Sequence, residues 1–550
     1  MRLRVITATT LLLLTSLPGV AGAGRAWAAD DSRGETWTER WDSGLDEAGL
    51  GVYPAEDVRD SAISPDGRYI YVTGVLSKGN RGQADAFTLA YEAATGKPIW
   101  QHLYGGTIPD SGNGAYAIAI SPDGERLFVT GFADGSFPGD PGLGVISYDA
   151  KDGDVLWAES VAGTYSVGSD VVVADDGDEV YVTGAHYPDG GGLPDVVLAG
   201  FDTKDGENLW HETYDGNDGF DRGWQIQINK GRLFVLAQVQ RGPRGTNDVH
   251  VLAYDTADRR PKLAWDSTSV LDGSVDPEQM DVSPNGSVFV TAPQHENDDG
   301  LPKMSRVVRL DRNTGEVKWS VVDRRIVSDT LTVDSEESAI YVTGGDSPLD
   351  NRNHPPAALA FDARTGEARW QAKIPATYET IFTDAGLDER RGTFYATGNA
   401  LADGWTDMFT VALDTTSGEL DWVARFNPQS GHGISSGATL SVGPDGSVFS
   451  AGLGSGTDTP AGSTPTWNWT NVFIVAYRAG KAVAEISPEP EDDTPDPQAT
   501  DEPQPEATVT PTPVPQETES PQPEASPSPE PELSSPEPEP SPSSRPPVHR

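Results

Sequence analysis

The sequence predicts an all-β fold, an eight-bladed β-propeller of four-stranded blades, and three observations lead to it. A stretch that reads as strand, tight turn and strand recurs along the chain and ends in tryptophan, with a period of roughly 51 to 57 residues. Each period holds four short apolar segments separated by turn residues, which is the unit of a propeller blade. The turns before the second segments number eight, and so do the third segments.

The second period shows the four segments of one blade. Small and apolar residues alternate over residues 115–120, and the turn residues Ser-Pro-Asp-Gly follow at 121–124. A second apolar segment covers 127–131, a third covers 144–149 after a longer polar loop, and a fourth begins at 155–157. Short apolar segments bounded by Gly, Pro, Asp and Ser are typical of antiparallel strands joined by tight turns.

The fourth strands number one too many, which predicts how the ring closes. Trp37 lies in a fourth-strand pattern with no earlier strands before it, whereas the last period ends without a tryptophan. Because a propeller has to close its ring, we predict that the Trp37 strand completes the eighth blade. The alternative is that residues 481–486 form an extra or competing edge strand of this blade.

The recurring tryptophan predicts packing between blades rather than a row of active-site aromatics. A tryptophan buries roughly 150 to 250 Å², which corresponds to at most about 4 to 6 kcal/mol of hydrophobic stabilisation. The eight repeat tryptophans are Trp37, Trp100, Trp157, Trp210, Trp265, Trp319, Trp370 and Trp422.

Composition narrows the classes of function. The 550 residues include 85 acidic and 39 basic side chains, a formal net charge of −46. Binding to nucleic acid or to anionic membranes depends on Lys and Arg, so this charge argues against both partners. The chain has no cysteine, which excludes disulfides, Cys-ligated zinc, iron–sulfur clusters and a cysteine nucleophile.

Both ends of the chain differ in composition from the repeats. Residues 1–28 have the basic start, apolar run and Ala-Trp-Ala ending of a secretory signal peptide, with an uncleaved membrane anchor as the alternative. Residues 29–486 form the predicted propeller. Residues 487–550 hold 20 prolines and 15 acidic residues, and we expect this acidic, proline-rich tail to be disordered or polyproline-like, as a solubilising extension or a stalk. The protein is therefore expected to be secreted or extracellular, with association with the cell wall as an option, and to be monomeric.

The repeat also carries a family resemblance. The pattern Ala-x-Asp-x-x-Thr-Gly-x-x-x-Trp resembles the repeat of the PQQ-like, quinoprotein-type β-propellers. It is complete at Ala360, Asp362, Thr365, Gly366 and Trp370. The preceding half of a period, as at 117–131, looks like the SBBP-type propeller repeats of secreted bacterial proteins. The two resemblances cover about residues 35–486, and they imply the fold far more than an activity, because the shared residues are turns and packing positions.

Members of the PQQ-like class that are dehydrogenases hold pyrroloquinoline quinone (PQQ) and a calcium ion in the ring centre. Many of them carry a vicinal cysteine pair over the cofactor, which this chain lacks. The missing cysteine pair therefore disfavours PQQ chemistry. No residue is assigned to PQQ binding, and no cofactor is established.

One end of the ring is the expected functional face. The loops from second to third strand and from blade to blade are long and variable, and both sets emerge at the same end. Aromatic residues placed at this face would suit a sugar or peptide ligand, although loops that fold over their own aromatic side chains are the alternative. The candidates are Tyr187, Trp224, Trp405, Trp467 and Trp469.

A calcium site is the one metal prediction. Residues 215–221 read Asp-Gly-Asn-Asp-Gly-Phe-Asp, and calcium favours several oxygen ligands close in sequence with glycine at the turn. Asp215, Asn217 and Asp221 are the candidate ligands, with a solvated acidic turn as the alternative. The spacing does not match an EF-hand loop.

These observations predict a non-catalytic binding module for an extracellular protein or glycan. The alternative is an exported enzyme on the same ring, either a PQQ-type oxidoreductase or a carbohydrate lyase or hydrolase. No catalytic residue is assigned, since no Gly-x-Ser-x-Gly elbow follows a strand and leads into a helix. A cluster of His, Asp and Arg at the channel mouth would favour the enzyme, and an aromatic-lined face would favour the binding module.

Overall fold

The computed structural model describes most of the repeat region. The described residues are 35–41, 55–78, 84–105, 112–132, 143–161, 165–188, 192–216, 219–240, 247–256, 260–267, 279–295, 302–346, 356–374, 380–402, 405–427, 435–455 and 470–478. They form 32 β-strands and no helix, and among them there is consequently no helical segment able to cross a membrane. The predicted signal peptide, the tail and the competing strand at 481–486 lie outside these residues.

The strands form eight blades, each an antiparallel sheet of four, which confirms the predicted architecture. Blades 1 to 4 consist of β2 Ala55–Ile63, β3 Tyr69–Ser77, β4 Ala84–Glu92, β5 Pro98–Tyr104; β6 Gly114–Ile120, β7 Arg126–Phe132, β8 Leu143–Asp149, β9 Val155–Ser160; β10 Tyr165–Val173, β11 Glu179–Tyr187, β12 Asp195–Asp202, β13 Asn208–Tyr214; and β14 Arg222–Asn229, β15 Arg232–Gln240, β16 Asn247–Asp255, β17 Lys262–Asp266. Blades 5 to 8 consist of β18 Gln279–Val282, β19 Val288–His295, β20 Pro302–Leu310, β21 Val317–Asp323; β22 Ile326–Val333, β23 Ala339–Asp346, β24 Pro356–Asp362, β25 Ala368–Lys373; β26 Thr380–Asp388, β27 Thr393–Ala402, β28 Trp405–Asp414, β29 Leu420–Phe426; and β30 Ser435–Val442, β31 Val448–Ser455, β32 Thr470–Tyr477 with β1 Glu35–Trp41.

The N-terminal strand β1 closes the ring, as predicted. It pairs antiparallel with β32, so that Trp37 lies opposite Ala476 and Trp41 opposite Val472. The indole Nε1 atoms of the two tryptophans then donate to blade 1, at 2.9 Å to the Ala93 carbonyl and 2.8 Å to Gln101 Oε1. The first and last segments of the propeller are thereby joined in one blade.

Each repeat tryptophan reaches from its own blade to the next. The Trp319 ring covers Gly366, whose φ of +74° suits glycine, and a Cβ there would lie 2.8 Å from the indole. Trp319 Nε1 also donates to the Ala363 carbonyl at 3.1 Å. The same donation joins Trp37 to Ala93, Trp100 to Ala150, Trp157 to Thr203, Trp265 to Arg312 and Trp370 to Thr415, over 2.9–3.1 Å.

The hydrophobic core therefore lies between blades rather than inside them. One buried cluster joins Phe289 and Val307 of blade 5 to Ile340 and Phe361 of blade 6, with Trp319 packed against it. Since the side chains of a strand alternate between the two faces of its sheet, each blade contributes to two such layers.

We expect Trp319→Ala to destabilise the protein by about 3 to 5 kcal/mol, because it leaves a cavity between blades 5 and 6. Trp319→Phe keeps most of the packing and loses the bond to Ala363, so its cost should be about 1 kcal/mol. Urea unfolding measures both. A cost for the alanine variant no greater than that of the phenylalanine variant would contradict the packing role.

Candidate ligand-binding site in the central channel

The inner strand of nearly every blade carries a β-bulge at the same height. The register shifts lie in β2, β6, β10, β14, β22, β26 and β30. A bulge adds one residue to its strand and re-aims a side chain. The bulged residues are Arg59, Tyr116, Ser169, Trp224, Asp329, Thr383 and Ala438. All of them except the buried Ser169 are half-buried, as expected for side chains that line a channel.

Side chains of blades 1 to 4 meet at this level. The Arg59 guanidinium carbon lies 5.4 Å from the centre of the Tyr116 ring. Arg222, the first residue of β14, donates from Nε to Ser169 Oγ at 2.9 Å and stacks 4.9 Å from the Trp224 ring centre. We call Arg59, Tyr116, Ser169, Arg222 and Trp224 the channel cluster.

Arg59 and Arg222 extend towards each other from blades 1 and 4. Arg59 lies over the Tyr116 ring of blade 2, and Arg222 reaches Ser169 of blade 3. Burial lowers the pKa of Arg222 and the charge of Arg59 lowers it further, while Tyr116 and Tyr187 oppose this. The cluster is therefore a cationic and aromatic lining on one side of the channel.

Arg59 is only partly engaged by its carboxylate partner. Its Nη2 forms an ion pair with Asp57, two residues earlier on β2, and its side chain is 20% exposed. The Nε atom is buried and has no hydrogen-bond partner among the residues that the structure describes. Burial raises the pKa of Asp57 and the Arg59 charge opposes this rise.

Two of the predicted ligand-face aromatics belong to this region. Trp224 lies in the bulge of β14 and donates from Nε1 to Gln238 Oε1 at 3.1 Å, while Tyr187 is the last residue of β11. The expectation that Tyr187 and Trp405 lie in loops is wrong, because both belong to strands. Tyr187 is paired with Tyr165 of β10, and Trp405 is the first residue of β28. Trp467 and Trp469 lie outside the described residues.

Sequence reasoning missed Arg59, Tyr116 and Arg222, although a signal for the first two was present. In five of the seven bulged strands the bulged residue stands five positions before the first residue that follows the strand, as Arg59 does before Ser64 and Tyr116 before Ser121, and in the other two it stands six positions before. Aligning the repeats on this turn would have found the ring of bulged positions. The contact between Arg222 and Ser169 of the preceding blade has no such signal.

The predicted calcium loop is held by one of its own carboxylates. Asp221 is buried, and its two oxygens accept the backbone N–H groups of Gly216 at 2.6 Å and Gln240 at 2.9 Å. Burial raises the pKa of Asp221, which these bonds oppose. Asn217 lies outside the described residues, so the calcium site formed with Asp215 stays a prediction.

A second polar group links blades 3 and 4 away from the channel cluster. His250 Nδ1 lies 2.9 Å from Asp266 Oδ1, and the Tyr214 hydroxyl donates to Asp266 Oδ2 at 2.6 Å. Both carboxylate oxygens are thus engaged, and His250 is buried. These contacts join a fourth strand to the next blade, which is a structural use of the three residues.

The strand order, the closing β1 and the repeat turns define a PQQ-like β-propeller. A family profile described as "Outer membrane protein assembly factor BamB" matches residues 23–321, 251–399 and 303–459, and the chain belongs to this family. No curated protein matches the sequence.

Solved structures share the fold at low sequence identity. Sqt1 of Chaetomium thermophilum, bound to the N-terminus of ribosomal protein L10, is 13% identical with a TM-score of 0.50, over 80% of this chain and 98% of its own. BamB of Moraxella catarrhalis is 13% identical with a TM-score of 0.42, over 82% and 99%. Quinohemoprotein alcohol dehydrogenase of Comamonas testosteroni is 13% identical with a TM-score of 0.47, over 83% and 78%.

The channel cluster does not supply the residues that PQQ with calcium requires. Calcium takes several oxygen ligands, yet the part of the chain that the structure describes contains no group of three or more His, Cys, Asp or Glu side chains able to hold a metal ion. Arg59, Arg222 and Trp224 offer donors and an aromatic face without that ligand set. No reaction step is therefore derived through PQQ.

We expect Asp221→Ala to destabilise the protein by about 1 to 3 kcal/mol, because it removes the acceptor of two backbone N–H groups at a buried position. Asp221→Asn keeps one acceptor oxygen and should cost less. Thermal unfolding with and without calcium checks both effects. A calcium-dependent rise in the wild-type midpoint that Asp215→Asn abolishes would establish the metal site, and an Asp221→Ala variant as stable as the wild type would contradict the holding role.

Proposed function

We propose that this protein is a secreted or cell-surface binding module that takes its ligand at the channel mouth beside blades 1 to 4. The observation that carries the proposal is the channel cluster, in which blades 1, 2 and 4 contribute two guanidinium groups and two aromatic rings and blade 3 contributes the Ser169 hydroxyl. Binding sites on rigid scaffolds commonly combine an aromatic lining with a few placed polar groups.

The described carboxylates of the channel support binding over hydrolysis. Glycoside hydrolysis uses two carboxyl groups that flank the scissile bond. Here Asp57 is paired with Arg59, and Asp329 accepts the backbone N–H of Phe382 at 2.9 Å. Both of these carboxylates already serve a structural contact, which favours binding over the alternative of an exported lyase or hydrolase.

The proposed location follows from residues 1–28, whose pattern is that of a signal peptide. The acidic tail and the net charge of −46 favour solubility outside the cell. The same charge disfavours contact with nucleic acid. On this proposal the partner is an extracellular protein or glycan.

Expression of the full chain in a bacterium with a general secretion pathway should place it in the medium. Intact-mass measurement should then give a mature N-terminus near residue 29. Retention in the membrane fraction with residues 1–28 still attached would show an uncleaved anchor and contradict the proposal of secretion.

Ligand binding at the channel mouth is tested by screening the full chain against glycans and cell-wall fragments. For any ligand found, Tyr187→Ala and Trp224→Ala should each weaken binding by about tenfold or more, since buried aromatic anchors carry much of a binding energy. Tyr69→Ala removes a half-buried tyrosine beside the turn at the opposite end of blade 1 and is the matched control. Unchanged affinity in both mouth variants would place the ligand elsewhere.

A further inference from the structure

We propose that the channel cluster binds a carboxylate group, carried by a uronic acid unit of an acidic glycan, between Arg59 and Arg222. This inference deepens the proposed function and rests on it, because it names the ligand class for the same site. Three features of the described residues lead to it, and each is independent of the others.

The first feature is the unused hydrogen-bonding capacity of Arg59. A guanidinium has five N–H donors in a planar fork that fits a carboxylate with two parallel bonds. Asp57 takes one N–H group of Nη2, and the Arg59 side chain is 20% exposed. A ligand carboxylate would bind the N–H groups of this fork that are exposed to the channel.

The second feature is the placement of two like charges over one channel in a strongly acidic chain. Arg59 of blade 1 lies over the Tyr116 ring of blade 2, and Arg222 of blade 4 reaches Ser169 of blade 3, although the chain has only 39 basic residues against 85 acidic ones. Repulsion between two guanidinium groups is relieved when an anion lies between them. A single negative group at this place would interact with both.

The third feature favours a sugar over a peptide as the carrier of the carboxylate. An extended peptide binds a sheet by adding to an edge with free backbone groups. Along the inner edges, side chains of the preceding blade already accept backbone N–H groups. The side chain of Asp60 accepts the backbone N–H of Ile118. In the same way Asp170 accepts the N–H of Ile226 and Gln225 accepts that of Met280, at 2.8–3.0 Å.

Aromatic rings beside the two arginines complete the match to a sugar. The Trp224 indole is fixed by its bond to Gln238, and the Tyr116 ring is held by Arg59 on one blade and by Phe132 at 5.5 Å. Such rigid rings offer a flat face to the C–H groups of a pyranose, while the arginines take its carboxylate.

The test compares oligogalacturonate with its methyl ester, which has the same sugar ring but no charge. Calorimetry with the full chain should show binding of the acid that weakens at about 0.5 M NaCl, and weaker or no binding of the ester. Arg59→Gln and Arg222→Gln should each lower the affinity for the acid by about tenfold or more. Asp57→Asn should raise it, since it removes the competing carboxylate.

Arg364→Gln is the matched control, because it removes one exposed positive charge from a turn between third and fourth strands, at the other end of the ring. Arg222→Lys keeps the charge without the planar fork, so affinity between those of wild type and Arg222→Gln would show that charge and geometry both contribute. Thermal unfolding of each variant separates lost binding from lost folding.

Equal binding of acid and ester, or an affinity that neither arginine variant changes, would overturn the carboxylate inference while leaving a channel-mouth site possible. Binding of an oligoglutamate peptide with the same dependence on Arg59 and Arg222, without binding of oligogalacturonate, would overturn the assignment to a glycan. A different result would contradict the proposed function itself. That result is an affinity for every ligand that neither Tyr187→Ala nor Trp224→Ala changes.

Discussion

Packing of one tryptophan per blade onto the following blade is the contact on which the described ring depends. A four-stranded sheet alone has two apolar faces and cannot bury either of them. The Trp319 indole covers Gly366 of the next blade and donates to its Ala363 carbonyl, so packing and hydrogen bonding act at one point. Because Trp37 makes the same contact with blade 1, the interface between blades 8 and 1 is built like the other interfaces between blades.

The inner edges pose a second constraint, and it shapes the candidate site. Eight first strands turn their edges to the channel, where unpaired backbone N–H groups are costly. Side chains of the preceding blade accept several of them, as Asp384 does for Leu440 at 2.7 Å. In seven of the eight blades a bulge adds one residue to this inner strand. The scaffold fixes where these residues stand, and their identities, Arg59, Tyr116 and Trp224 among them, are left to function.

Family membership concerns the fold of this chain, whereas its ligand depends on the residues of the channel. The family match shows a PQQ-like propeller, but the shared residues are turn glycines and packing tryptophans, which carry no substrate information. What distinguishes this chain lies in the channel, where two arginines meet aromatic rings in a protein of net charge −46. The proposed ligand is therefore argued from the charge and geometry of those residues.

The sequence alone determined the all-β class, the blade count and the closing role of the Trp37 strand, because turns and strand alternation repeat with a period that local chemistry sets. It also predicted Trp224 as a ligand-face residue, and the structure places this residue in a bulge of an inner strand. Tertiary structure decided what meets across the channel. Arg59 and Arg222 are separated by more than 160 positions, and nothing local to either one encodes the other. Their approach depends on bulges, which pairing with the second strand of the same blade defines, and on the curvature of the closed ring, which arises only when all eight blades are in place.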